Sequence, residues 1–259
     1  MNVRETEGLV GAEAGCGPLI PPLSDTLRPL RQQIFERVRA AGQIARVQVA
    51  KDLGVSPASV TTLTSELIEA GLIEEIAAVR EGDSGRGRPS VALGVRAGAH
   101  YVAGLKVSDR DMSAVIVDFA GNLLASYHVE RPPTALTPDS LLLAIETLVD
   151  TACAKAGMRR ADLSSVGVGV PGYVDTNSGR VIWSSVLTER SFALAAAAGA
   201  RLSLPVQIDN DANLCALAEL WFGAGRGRSD FAVVTIEHGL GMGMVMNHRI
   251  YRGAQGLGM

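Results

Sequence analysis

The chain has 259 residues, 24 basic against 27 acidic side chains, a formal net charge of −3 and 47% hydrophobic residues. This composition fits one or two globular domains and excludes a disordered chain or a broadly basic nucleic-acid coat. No apolar run approaches the roughly 20 residues needed to cross a bilayer, so no membrane partner is expected. Residues 1–13 lack the basic start and apolar core of a secretory leader, and Cys16, Cys153 and Cys215 form no CxxC pair. The expectation is a cytoplasmic protein with reduced thiols, no readable disulfide framework and no metal site within this chain.

Charge and punctuation divide the chain into three expected parts. Residues 1–26 hold one base and four acids among glycines and prolines, and read as a flexible tail. Residues 27–98 hold ten bases and eight acids, a slightly basic block. Residues 99–259 form a second, mildly acidic module.

In the basic block, Leu30, Ile34, Phe35 and Val38 recur at helical spacing, predicting a helix over 27–41 that Gly42 ends. A short helix over 46–53 follows, with Val47, Ala50 and Leu53 on one face. Next come Gly54 for a sharp turn, Ser56 as N-cap, Pro57 at the first helical position and a helix over 58–70. Two short helices joined by a tight turn make a helix-turn-helix, whose second helix enters the major groove of DNA. Its leading side chains, Ser56, Ser59, Thr61 and Thr62, are short hydroxyls suited to phosphate oxygens; ordinary capping and surface polarity would explain them equally. The helix carries no Arg or Lys, so bidentate reading of guanine must come from elsewhere. The runs 72–79 and 90–95 predict a hairpin wing. At its Gly85-Arg86-Gly87-Arg88-Pro89 tip, Arg86 and Arg88 are placed to reach phosphates or a minor groove, the plain alternative being a solvated loop.

From Tyr101 the pattern changes to three consecutive strands (101–107, 113–118, 123–130), a helix (138–157), a strand ending at Pro171-Gly172 (165–170), a strand (206–209), a helix (212–222) and two strands around a glycine turn (231–237, 242–246). Strands followed by strand–helix alternation indicate an α/β domain. Trp183 and Trp221 read as core or pocket wall, with sugar stacking as the alternative. Cys215 reads as a small core residue, and a metal role for Glu237-His238 is disfavoured because neighbours on a strand face opposite ways.

Three blocks carry a resemblance: Gly167-Val168-Gly169-Val170-Pro171-Gly172-Tyr173-Val174-Asp175, Leu204 through Asn213 with its Asn210-Asp211-Ala212-Asn213 core, and Ile236-Glu237-His238-Gly239-Leu240-Gly241-Met242-Gly243. With the winged helix before them, they resemble the ROK family of transcriptional repressors and sugar kinases, from about residue 27 onward. The resemblance implies a DNA-binding, sugar-responsive regulator, expected to be a repressor of carbohydrate metabolism acting as a homodimer or homotetramer on operator DNA. Its fold is α/β, an N-terminal winged helix-turn-helix followed by an incomplete actin-like ATPase/sugar-kinase domain. Asn210 and Asp211 become the expected sugar contacts, since a carboxylate and an amide side by side suit hydroxyl recognition. Asp211 stands where family kinases keep their base and is here a vestigial catalytic candidate; helix capping is its structural alternative.

Two departures temper the resemblance. Where family kinases place an acid followed by glycines for nucleotide phosphates, this chain has Gly104-Leu105-Lys106-Val107-Ser108-Asp109-Arg110-Asp111, so no enzyme activity is expected. A sugar kinase with an appended DNA-binding head is the alternative, and an unresponsive DNA-binding remnant a third reading. The family's Glu-x-Gly-His segment and cysteine-rich zinc loop would fall beyond Met259, so a C-terminally truncated chain with an incomplete sugar pocket and no cofactor is expected.

Overall fold

A computed structural model describes residues 15–19, 28–77, 91–236 and 239–253. It separates into two units, Met1–Arg96 with Glu219–Arg228, and Ala97–Ala218 with Ser229–Met259.

The first unit opens with helix α1 (Leu30–Ala41). It starts later than its apolar spacing suggests because Pro29 sits extended before it, and a residue preceding proline, here Arg28, is itself biased away from helix. A two-residue strand β1 (Gln43–Ile44), too short to leave a periodic signal, leads to α2 (Arg46–Leu53) and α3 (Pro57–Glu69). Ser56 caps α3 by accepting the Ser59 backbone N–H at 3.1 Å, with Pro57 in the first helical position. Strands β2 (Ile73–Ala77) and β3 (Val91–Val95) complete an antiparallel sheet of order β1-β3-β2. The core gathers Ile34, Val38, Val49, Val60, Leu67, Ile73 and Leu93. Val49 and Ala50, not Val47, face that core from α2; Val47 is 75% exposed, a correction to the expected inward face. On an eight-residue helix, the stripe aligned with its neighbours decides which valine is buried.

Residues 15–19 and 219–228 pack within this same unit. The N–H groups of Cys16, Gly17 and Leu19 donate to the carbonyls of Arg39, Trp221 and Arg226 at 3.1, 2.8 and 2.8 Å. Arg226 is buried and returns the contact, its Nε donating to Gly17 O at 3.0 Å and its Nη2 to Ala40 O at 2.6 Å. The Arg39 guanidinium lies 4.1 Å from the Trp221 ring centroid, and its burial lowers its pKa from the ordinary arginine value. Trp221 is therefore a platform for a half-buried cation.

The second unit is built on strands β4 (Tyr101–Val107), β5 (Asp111–Asp118) and β6 (Leu123–Glu130), helix α4 (Pro138–Lys155), strands β7 (Ser165–Val170), β8 (Tyr173–Asp175) and β9 (Arg180–Trp183), helix α5 (Leu194–Leu202), strand β10 (Val206–Asn210), helix α6 (Asp211–Phe222) and strands β11 (Phe231–Ile236), β12 (Leu240–Met246) and β13 (Arg249–Ile250). The last turn of α6 is counted with the first unit. One sheet has the order β10-β7-β4-β5-β6, parallel from β10 to β4 and antiparallel thereafter. Alternate residues of β5, Met112, Ala114 and Ile116, are buried, as period-two geometry requires. Helix α4, capped by Thr137 and begun by Pro138, lays Leu141, Ile145, Leu148 and Val149 into the same core. The hairpin of β8 and β9 and the helix α5 were not expected as elements; only the alanine run at 193–198 hinted at the latter.

A second antiparallel sheet, β11-β12-β13, packs on α6. Gly243 is needed where β12 meets the helix, because a Cβ there would stand 2.8 Å from the Ala216 Cβ and against the Ala212 carbonyl. Gly243, within the glycine-rich block that carries the resemblance, thus serves the packing of strand on helix.

Arg226→Ala would leave two buried carbonyls without their donor, at a cost of about 1–3 kcal/mol, read as a lower denaturation midpoint in urea. Glu146 accepts from Arg201 at 2.7 Å and from Arg160 at 3.3 Å, and these arginines hold its pKa below the ordinary value of 4.5. A depressed carboxylate stabilises the folded state above 4.5 and loses that contribution as pH falls through the folded value. Glu146→Gln should therefore flatten the acid limb of a stability-versus-pH curve while leaving its alkaline limb unchanged.

Candidate functional site

Parallel strands β7 and β10 run in register to Val170 and Asn210, so both carboxyl ends open at one place. Ligands of open α/β sheets bind at such carboxyl ends. Pro171-Gly172 leaves β7 there, and α6 begins there at Asp211.

Asn210 ties these ends together. Its Nδ2 donates to Gly172 O at 2.9 Å, and its Oδ1 accepts the N–H groups of Ala212 and Asn213 at 2.9 and 3.3 Å. Asp211 Oδ1 accepts the Ala212 N–H at 2.9 Å. The capping role weighed for Asp211 is thus carried largely by Asn210. The Asp211 carboxylate stands half-buried at the start of a 12-residue helix.

Behind them is a polar cluster that motif reading passed over. Asp209 is buried; its Oδ1 accepts from the Asn210 backbone N–H at 2.8 Å and from Asn213 Nδ2 at 3.1 Å, while Arg252 Nη2 donates to Oδ2. Asn213 Oδ1 and Arg252 Nε are buried without hydrogen-bond partners. Asp209 and Asn213 lay inside the quoted motif, but Arg252 comes from 39 positions after Asn213 and carried no local signal.

The stretch expected to replace the kinase phosphate loop is a tight hairpin. Ser108 N–H donates to Asp111 O at 2.9 Å and Asp111 N–H to Ser108 Oγ at 3.2 Å. Arg131 Nη1 donates to the carbonyls of Ser108 and Asp109 at 2.8 and 3.1 Å. Lys106 lies in β4, opposite Ser113 and Gly169. Phosphate binding by main chain needs converging N–H groups; here those of Ser108 and Asp111 are turned on each other.

In the first unit, the expected DNA contacts gather on the opening turns of α3. Ser56, Thr61 and Thr62 are exposed and Ser59 half-exposed. Ser56 Oγ and Ser59 Oγ are 2.8 Å apart, and Thr61 Oγ1 donates to Pro57 O at 2.9 Å. Exposed Val47 on α2 is an addition from the structure. Arg46 is drawn away, with Nη2 on Glu75 at 2.7 Å and Nε on Thr64 Oγ1 at 3.1 Å. Arg86 and Arg88 lie outside the described residues, as do Glu237 and His238.

Among the described residues no cluster of three or more His, Cys, Asp or Glu is able to hold a metal ion, and the buried Cys16 and Cys153 belong to different units. Among the same residues no helix is long and apolar enough to cross a membrane.

The chain is 29% identical to the DNA-binding transcriptional dual regulator NagC of Escherichia coli, over 86% of this chain and 54% of NagC. It is 29% identical to the xylose repressor of Caldicellulosiruptor bescii, over 82% of this chain and 52% of that protein. The chain thus spans about half the length of these curated relatives. A solved ROK-family transcriptional regulator, a homologue of E. coli Mlc, superposes with a TM-score of 0.69 at 27% identity, covering 88% of this chain and 57% of that one. A ROK hexokinase from Thermus thermophilus gives 0.53 at 29% identity, over 61% and 51%. The ROK family model matches residues 102–258, and the chain belongs to the ROK family.

Proposed function

We propose that this chain is a sugar-responsive regulator of transcription that binds operator DNA through its winged helix-turn-helix, as a repressor of carbohydrate metabolism. The observation that carries the reading is the exposed face of α3, where Ser56, Thr61 and Thr62 stand on a helix-turn-helix in the same chain as a ROK domain. Short hydroxyls admit close approach to phosphates, and Arg86 and Arg88 supply the cationic contacts that α3 lacks. Two-fold operators require two heads, so the working form is a homodimer or a higher oligomer built from one. Relatives named for xylose and N-acetylglucosamine support a sugar effector. Asn210 and Asp211 contact its hydroxyls, and the sugar acts by binding the DNA-free state more tightly than the DNA-bound state. No cofactor is proposed for the residues of this chain.

A kinase reading draws on Asp211 and on the T. thermophilus hexokinase likeness. The hairpin at Ser108–Asp111, with the N–H groups of Ser108 and Asp111 bonded within the turn, favours the regulator. ATP-dependent sugar phosphorylation should be absent; measurable turnover would reverse the assignment.

Binding to an operator selected from random duplexes provides the direct test, by fluorescence anisotropy across a salt series. Replacing Arg86 and Arg88 together by alanine should weaken binding to all sequences and lower the salt slope by about 2. Thr62→Ala should weaken binding to the selected site and to random DNA alike, as loss of a phosphate contact does. Asp211→Asn should leave DNA binding intact and abolish release by sugar. An unchanged affinity and slope in the arginine variant would remove the wing from the interface.

A further inference from the structure

The hairpin of β8 and β9 carries two aromatic side chains that the function so far leaves unused. Tyr173 and Trp183 face each other across the hairpin with ring centroids 5.9 Å apart and planes inclined at 49°. Each is 39% exposed, while Val174 and Val181 beneath them are buried. Large aromatic surface left open to water forgoes hydrophobic stabilisation, so an exposed pair of rings is a place for a ligand with an apolar face.

Its position gives the ligand's chemistry. Tyr173 directly follows Gly172, whose carbonyl is held by Asn210 Nδ2 at 2.9 Å. Gly172 has φ +106°, and a Cβ on it would stand 2.9 Å from the Ser184 Cα and run into the Trp183 carbonyl. The backbone of both aromatics therefore rests on the residue that Asn210 grips. The hairpin's far end is stiffened by Asp175, which accepts the N–H groups of Asn177 and Ser178 at 3.0 and 3.3 Å. Rigid aromatics beside a paired amide and carboxylate suit an amphiphilic molecule, with hydroxyls along its edge and C–H groups across its face.

We propose that Tyr173 and Trp183 form a stacking platform for the C–H face of a pyranose ring whose hydroxyls engage Asn210 and Asp211. This rests on the sugar-sensing reading above and extends it, because the platform selects sugars by the flatness and apolarity of one ring face. Pyranoses with an axial hydroxyl on the stacked face are disfavoured, since that group would lift the ring off the aromatics.

Trp183 and Trp221 are the two tryptophans of the chain, so 5-fluorotryptophan labelling yields two 19F resonances, assigned with Trp183→Phe. The full chain is titrated with D-glucose, D-xylose and N-acetyl-D-glucosamine, and binding is measured in parallel by calorimetry. The expected result is that the Trp183 resonance shifts with a sugar that binds while the Trp221 resonance stays in place. Trp183→Ala and Tyr173→Ala should each weaken that sugar by roughly three- to ten-fold, with Trp183→Phe recovering most of the loss. If a sugar binds and Asp211→Asn abolishes it, yet Trp183→Ala binds equally well and the resonance does not move, the platform is wrong and the sensing site stands. If none of the sugars binds, the sensing reading falls and the platform with it. A Trp183 shift produced by operator DNA alone would assign the pair to another ligand and overturn the proposal.

Discussion

The side chain of Asn210 is the joint on which the second unit's binding end depends. One amide group accepts two N–H groups at the start of α6 and donates to the carbonyl that follows β7. Substituting a residue that cannot both donate and accept would release the helix start, the Gly172 turn, or both. Asp211, Gly172 and the hairpin behind it take their positions from this one side chain. Buried polar groups are costly unless paired, so such a joint rigidifies what it links.

Around the joint, the unit is specified by ordinary packing. Parallel strands β7, β10 and β4 end together, and helix α4 covers the sheet with a continuous aliphatic stripe. The contacts of Gly243 show how closely β12 approaches α6. These constraints leave the carboxyl ends of the strands as the polar opening. Asp209, Asn213 and Arg252 cluster behind them, and the Tyr173–Trp183 pair follows Gly172 in the chain, the residue whose carbonyl Asn210 holds.

The first unit follows the same logic with a different outcome. Its three helices converge on a small apolar core, leaving the opening turns of α3 exposed. Most described arginines of this unit are committed to partners: Arg37 to Asp52, Arg46 to Glu75, Arg39 to the Trp221 face and Arg226 to the carbonyls of Gly17 and Ala40. Hydroxyl groups on α3, the exposed Lys51 on α2 and, in the proposed function, the wing are what remain for a polyanion. Positive charge in this unit largely builds the scaffold.

The amino-acid order by itself determined the helix-turn-helix, because Gly54, Ser56 and Pro57 act through local backbone chemistry that needs no distant partner. It determined β4, β5, β6 and α4 by periodicity, and marked Asn210 and Asp211 through a motif whose residues are adjacent. Only the tertiary structure decided which side of α2 is buried, because neighbours, not spacing, choose between Val47 and Val49. It alone joined residues 219–228 to the first unit, brought Arg252 onto Asp209 and set Tyr173 against Trp183. These pairings span from ten to about two hundred positions, and their free energy lies in contacts that neither partner's local sequence encodes.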